Sequence, residues 1–238
     1  MIVRLEYSKA GKIRWTSHRD LARMFERAFR RTQLPLAYSG GFAPRPRVSF
    51  GLALPTGAES AAEYLDIELA EGAEVDLCTL PSRLSKALPE GVDVRAAAAV
   101  DGGAPSLQEA VSSCTWRLEI TGTTHDELCE KVATVVTAPS LVVTRNRKGR
   151  KVTDDLRPGI LALRVVDGVE VECELVTQPR AVRPAELVRA IDPELEESRV
   201  RRINQWIERD GARGVPLDAT DAPHARPAPV AGAGARAR

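Results

Sequence analysis

An α+β fold in two successive units is what this chain of 238 residues predicts. Short period-two runs alternate with two helical stretches over residues 1–100. The same order returns after a Gly/Pro boundary, and the final stretch has nothing to bury. Hydrophobic residues make up 43% and charged residues 28%, ordinary values for a globular chain with a core of its own. No apolar run nears the roughly 18 residues that cross a bilayer, and MIVRLEYSKAGK lacks the apolar centre of a signal peptide. The expectation is a cytoplasmic protein with no membrane partner.

The elements follow in order. Ile2–Tyr7 alternates as a strand, Gly11 turns the chain, and Lys12–Trp15 reads as a second short strand. Ser17-His-Arg-Asp20 is a capping box, with the serine accepting from first-turn amides and the aspartate reaching back. The helix it opens runs to about Gln33, and Pro35 stops it. At 100° per residue Leu21, Met24, Phe25, Ala28 and Phe29 gather on one side, and Arg19, Arg23, Arg27 and Arg30 on the other. Leu36–Tyr38 and Arg47–Leu54 read as strands, then Glu63–Leu69 as a strand, Val75–Leu88 as a helix and Val92–Val100 as a strand. Asp101–Pro105 has the composition of a boundary. Beyond it come a strand at Cys114–Thr121, a helix at Thr124–Thr137, and Leu141–Arg145 and Lys151–Thr153 around a turn at Gly149. Ile160–Val166 and Val169–Val176 form a hairpin across Asp167-Gly168, Pro184–Ile191 is a helix, and Arg199–Ile207 is a strand or a helix. Two tandem ferredoxin-like (βαββαβ) units, at 1–100 and 106–210, are the simplest account, with a disordered Ala/Gly/Pro/Arg tail at 211–238.

Four cysteines and three histidines are scattered without ligand spacing, so no metal site and no cofactor is expected. Cys78, Cys114, Cys129 and Cys173 read as buried, reduced thiols. The net charge of +1 hides an asymmetry, because Lys and Arg far outnumber Asp and Glu in residues 1–50. That points to an anionic partner for the N-terminal part.

The stretch SGGFAPRPRVSF at 39–50 is where such a partner is best held. Gly40 and Gly41 permit positive φ and expose consecutive amides. Pro44 and Pro46 stiffen the segment, so Arg45 and Arg47 project alike from a firm ribbon, with Phe42 available to stack. Guanidinium forks match phosphate oxygens. The alternative is a β-bulge crossover with solvated arginines. Arg14 and the helix stripe of Arg19, Arg23 and Arg30 extend the basic footprint, with Glu26 as the one nearby offsetting acid. A second basic run, Arg145–Lys151, includes Arg147, Lys148 and Arg150 on a hairpin tip and reads either as polyanion contact or as a charged guard on a strand edge. RNA is the expected polyanion, since irregular single strands suit a shape-reading groove. The 4% aromatic content argues against a sheet that stacks bases across its face.

His18 is the one candidate for catalysis. At the first helical position it can act as a base on a ribose 2′-OH in metal-independent RNA cleavage, or it can simply belong to the cap beside Trp15. In EYLDIEL, Glu63 faces the same way as Leu65 and suits a loop arginine as partner.

The pattern Arg4, Tyr7, Lys9, Gly11, Arg14, Ser17-His18, Asp20, Arg23, then Arg27-Ala28, Arg30-Arg31 and Leu34-Pro35, resembles the start of a bacterial family of unknown function known as radical-SAM-associated (radical-SAM-linked) proteins. Tyr38-Ser39, Gly41-Phe42, Pro44, Pro46 and Ser49-Phe50, followed by Leu54, Gly57, Ser60, Glu63 and Asp66, continue it. The resemblance is dense over about the first 70 residues and loose to about 210. It implies a radical-SAM protein as partner, because members are typically encoded beside one or fused to one. The family usually carries Asn-Pro-His-Pro where this chain has Ala43-Pro44-Arg45-Pro46, so the loop keeps a ligand-holding character without a histidine. The tandem order also resembles the CRISPR-type RNA-processing endonucleases, a likeness of fold that transfers no activity. The expected function is an RNA- or phosphate-ligand-binding accessory that presents substrate to a radical-SAM enzyme. The alternatives are a metal-independent endoribonuclease using His18 and a protein adaptor without nucleic acid.

Overall fold

The structure, a computed structural model, describes residues 1–147, 149–209 and 211–217. Its frame is one continuous nine-stranded sheet, mostly antiparallel, in a mixed α+β fold. The first half holds β1 (Ile2–Lys9), α1 (His18–Arg31), β2 (Val48–Phe50), β3 (Glu59–Glu68), α2 (Leu80–Ala87) and β4 (Val92–Val100). After a short helix, α3 (Leu107–Ala110), the second half holds β5 (Val111–Thr121), α4 (His125–Thr137), β6 (Val142–Arg147), β7 (Arg150–Asp155), β8 (Ile160–Asp167), β9 (Glu170–Val176), α5 (Pro184–Ile191) and β10 (Glu196–Arg209). The strands run β4-β1-β3 and then β10-β5-β9-β8, with the short β2 also on β3. β6 and β7 make a separate hairpin.

The halves are joined where β10 pairs in parallel with the start of β3, Arg201 opposite Glu59 and Arg202 opposite Ser60. Further along the same strand β2 takes over, Val48 opposite Ile67 and Phe50 opposite Leu65. One strand thus carries both neighbours end to end. The expected strand Arg47–Leu54 stops at Phe50: the Gly51 amide still donates to the Tyr64 carbonyl (3.0 Å), but beyond it side chains of β10 take the carbonyls, Gln205 that of Ala62 (2.7 Å) and Arg202 those of Leu52 and Ala53. Each half has its own core on the helix side of the sheet. In the first, Val3, Leu5 and Tyr7 meet Leu21, Phe25 and Phe29 of α1 and Leu80 and Leu84 of α2, with the Tyr7 and Phe25 rings edge to face at 4.9 Å. In the second, Leu118, Ile120, Val171 and Leu175 meet Leu128, Val132 and Leu187. A smaller cluster of Ala62, Tyr64, Ala98, Leu107 and Leu217 covers further sheet residues of the first half.

Several expectations are corrected. Lys12–Trp15 is no strand but part of a 3-10 helix, Gly11–Trp15. The buried Lys9 ammonium donates to the carbonyls of Arg14 (3.1 Å) and Thr16 (2.9 Å) and curls the chain around itself. Leu36–Tyr38 makes only isolated bridges, Leu36 to Leu69 and Tyr38 to Pro46, because a proline partner has no N–H for a ladder. The helix expected from Val75 begins at Leu80. Before it, Asp76 binds the Cys78 amide (2.9 Å) and the Thr79 hydroxyl (2.8 Å), holding a turn in place of a first helical turn. The open choice at Arg199–Ile207 resolves to strand. The tail does not start at Gly211: β11 (Ala212–Gly214) pairs with β10, and Leu217 is buried. Residues 218–238 lie outside the described residues. Cys78 is exposed, whereas Cys114 and Cys173 are buried. No described helix is long and apolar enough to cross a membrane.

Candidate functional site

The N-terminal basic residues are positioned by α1 and by the arm that follows it. Ser17 caps α1, its hydroxyl accepting from the Asp20 amide (3.2 Å). The reciprocal half of the expected box is different: the Asp20 carboxylate takes the Ser17 hydroxyl (2.7 Å) instead of a backbone amide. That hydroxyl, followed by the nearby arginines, holds the Asp20 carboxyl below its ordinary value. Leu21, Phe25, Ala28 and Phe29 turn to the core, so the arginines at the intervening positions face outward.

Residues 36–47 double back as an arm beside this helix. The Arg47 amide donates to the Ala37 carbonyl (2.8 Å), and the Ser39 amide donates to that of Arg45 (2.8 Å). The Ser39 hydroxyl accepts from the Arg45 amide (3.1 Å). Between arm and helix lies a groove of about 510 Å³ whose walls include Arg19, Arg23, Glu26 and Arg30 from α1 and Tyr38 and Arg45 from the arm. Four guanidiniums from two elements therefore share one concavity. Arg23 reaches Asp20 at 3.3 Å with both side chains about half exposed, and among the described residues Arg30 reaches only the Glu26 backbone carbonyl, at 3.3 Å. Exposed contacts of this kind neutralise little. The groove carries a positive field and donors suited to anionic oxygens.

The other expected residues are placed elsewhere. Arg47 turns away to a two-oxygen contact with Glu68 at 3.0 and 3.1 Å, so Arg45 and Arg47 do not act as a pair. Gly40, Gly41 and Phe42 form the exposed tip of the arm, Gly41 at φ 108° and Phe42 fully exposed, and none of them lines the groove. His18 is exposed and its ring meets Phe50 edge to face at 5.1 Å. Arg14 lies under Glu59 and over the Trp15 ring (5.2 Å). Arg147 and Arg150 face each other across the β6–β7 turn as backbone partners, and Lys148 lies outside the described residues. Asp20, expected only as a cap residue, is a second acid beside the arginine stripe, and Tyr38, expected only as the end of a strand, lines the groove. The alternation of Tyr38 with the proline-rich stretch gave no periodic signal.

A second cluster occupies the seam where β3 meets β10. The buried Glu59 carboxylate accepts from Arg199 (2.9 Å), Arg201 (3.0 Å) and the Gly11 amide (3.0 Å), with Arg14 at 3.6 Å. Burial pushes this carboxyl up, and the Gly11 amide, Arg199 and Arg201 more than offset that, holding it at about 2. Beside it Glu63 pairs with Arg202 at 2.8 Å, both side chains buried. The partner expected from a loop is thus a strand residue of the other half. Arg202 also donates to the carbonyls of Leu52 (3.2 Å) and Ala53 (3.0 Å), and its guanidinium lies over Trp116 at 4.7 Å. Burial lowers the pKa of Lys9, with Glu63 acting against it. These contacts, half-buried between Glu59 and its arginines and fully buried between Glu63 and Arg202, fasten the halves together. Among the described residues no group of three or more His, Cys, Asp or Glu is placed to hold a metal ion.

Fold and groove together define an α+β protein with a cationic recess beside its first helix. The chain belongs to a family of uncharacterised proteins conserved in bacteria (DUF2344), whose model matches residues 3–184, from β1 to the first residue of α5. No curated protein matches it.

Proposed function

We propose that this protein binds RNA, or a comparable phosphate-rich ligand, in the groove between α1 and the 36–47 arm, and that it does so as an accessory presenting the ligand to a radical-SAM enzyme. The observation that carries the reading is the joint presence of Arg19, Arg23, Arg30 and Arg45 in one recess. Like charges brought together on a folded surface cost free energy unless an anion answers them. The two strand orders, with β2 beside β3 in the first half and β10-β5-β9-β8 in the second, support reading each half as a ferredoxin-like unit. The radical-SAM partner rests on the resemblance of the opening 70 residues. Binding is favoured over cleavage because the His18 ring meets Phe50, with no hydrogen bond or ion pair to it among the described residues. In nucleophile–base pairs of the triad type the base is oriented by a third group.

A direct test is titration of labelled single-stranded RNA with the wild-type protein and with Arg23→Ala/Arg30→Ala/Arg45→Ala. Loss of about three charge-assisted contacts predicts a fall in affinity of at least roughly a hundredfold at low salt. An unchanged Kd refutes the placement of the site. Absence of RNA affinity in the wild type, with capture of a radical-SAM protein from lysate, would favour the adaptor alternative.

A further inference from the structure

One acid stands among the groove cations. Glu26 shares the recess with Arg19, Arg23, Arg30 and Arg45, yet among the described residues its carboxylate makes no ion pair and no side-chain hydrogen bond. In a recess meant only for phosphate this charge is a liability, because it repels the anion the arginines attract. It becomes useful when the ligand offers hydrogen-bond donors alongside its phosphate. Tyr38 lines the same recess and is 52% exposed, so it presents ring surface to solvent. A recess of about 510 Å³ falls in the range that accepts a small ligand such as a nucleotide, and is too small for a duplex.

We infer that the groove is selective for guanine within a single strand. This deepens, and rests on, the polyanion reading above. The arginines hold the phosphates, Tyr38 stacks on the base, and the Glu26 carboxylate accepts from the guanine N1–H and N2–H. Guanine is the RNA base whose Watson–Crick edge sets two adjacent donors parallel to one another, matching two carboxylate oxygens. Adenine and cytosine place an acceptor nitrogen beside the single amino group, and uracil flanks its one N–H with two carbonyls, so each would set an acceptor against the carboxylate. Double-stranded RNA hides that edge in its own pairing, which makes the unpaired strand the substrate class.

The test uses the full chain and three labelled hexaribonucleotides: oligouridylate, the same with one central guanosine, and the same with inosine there, which keeps N1–H and lacks the N2 amine. The wild type should prefer the guanosine oligonucleotide by about tenfold over oligouridylate, with inosine between them. Glu26→Gln should reduce that preference to about twofold or less while binding oligouridylate at least as tightly as the wild type, since a repulsive charge is gone. A purely structural role for Glu26 would not move the two ligands in opposite senses. Tyr38→Leu should weaken all three. Equal binding of guanosine and uridine oligonucleotides by the wild type, or a guanosine preference that survives Glu26→Gln, overturns the inference and leaves the polyanion reading standing. If no oligonucleotide binds even at low salt, the polyanion reading fails and takes this inference with it.

Discussion

Replacing Glu59 by Gln should loosen the seam between the halves in a pH-dependent way. The carboxyl sits at about 2 in the folded chain against 4.5 when unperturbed. At about 1.36 kcal/mol per pKa unit that difference corresponds to roughly 3 kcal/mol of stability at neutral pH. Its cations are partly solvated, Arg199 50%, Arg201 42% and Arg14 31% exposed, and water screens part of the attraction. A cost of about 2 kcal/mol for Glu59→Gln at pH 7 is therefore expected. The sign follows from the depressed folded pKa. The stabilisation is fully present above the unfolded value of 4.5 and is lost as pH falls towards about 2. Urea denaturation of wild type and variant at pH 7, 5, 4 and 3 reads this directly. The two midpoints should differ most at pH 7 and 5 and converge below pH 4. A gap that stays constant across that range, or no gap at pH 7, would refute the assignment of Glu59 as the ionised hub.

Two further outcomes test the packing. Arg202→Met leaves the buried Glu63 without its partner and should cost about 3–5 kcal/mol, whereas pairing it with Glu63→Gln should recover much of that in a double-mutant cycle of urea midpoints. Gly91, at φ 89°, has a position where an added Cβ would lie 2.3 Å from the Ala10 carbonyl oxygen. Gly91→Ala should therefore cost about 3 kcal/mol or more by thermal melting, while Gly72→Ala, also at positive φ but in open space, should cost only about 1–2 kcal/mol.

The regular elements were legible because their signals are local. The Ser17 cap and the 3–4 spacing of Leu21, Phe25 and Phe29 place α1, and the Thr124/Glu127 box places α4. What escaped depends on partners far along the chain. Lys9 lies past the expected strand Ile2–Tyr7 yet ends β1, and only its burial under the Arg14 and Thr16 carbonyls shows why the next segment is a 3-10 turn. Nothing near Glu59 in sequence announces Arg199 and Arg201, and nothing near Glu63 announces Arg202. These partners arrive through a parallel strand contact between halves. The site was partly legible for the same reason. Helical periodicity puts Arg19, Arg23 and Arg30 on one face, but the choice between Arg45 and Arg47 is made by Glu68 on β3, which draws Arg47 off. Arg14, Gly40, Gly41 and Phe42 belong to the same stretch of sequence yet not to the same concavity.

The salt dependence of RNA binding tests the central claim most directly. Single-strand binding through four phosphate contacts predicts a slope of log K against log salt of about −3, falling by about 0.7 for each of Arg19, Arg23, Arg30 and Arg45 changed to Ala. A matched change at Arg164, which pairs with Glu172 on the second half, should leave the slope unaltered. A slope near zero in the wild type, or one that Arg164→Ala lowers as much as Arg45→Ala does, would contradict the groove as the site.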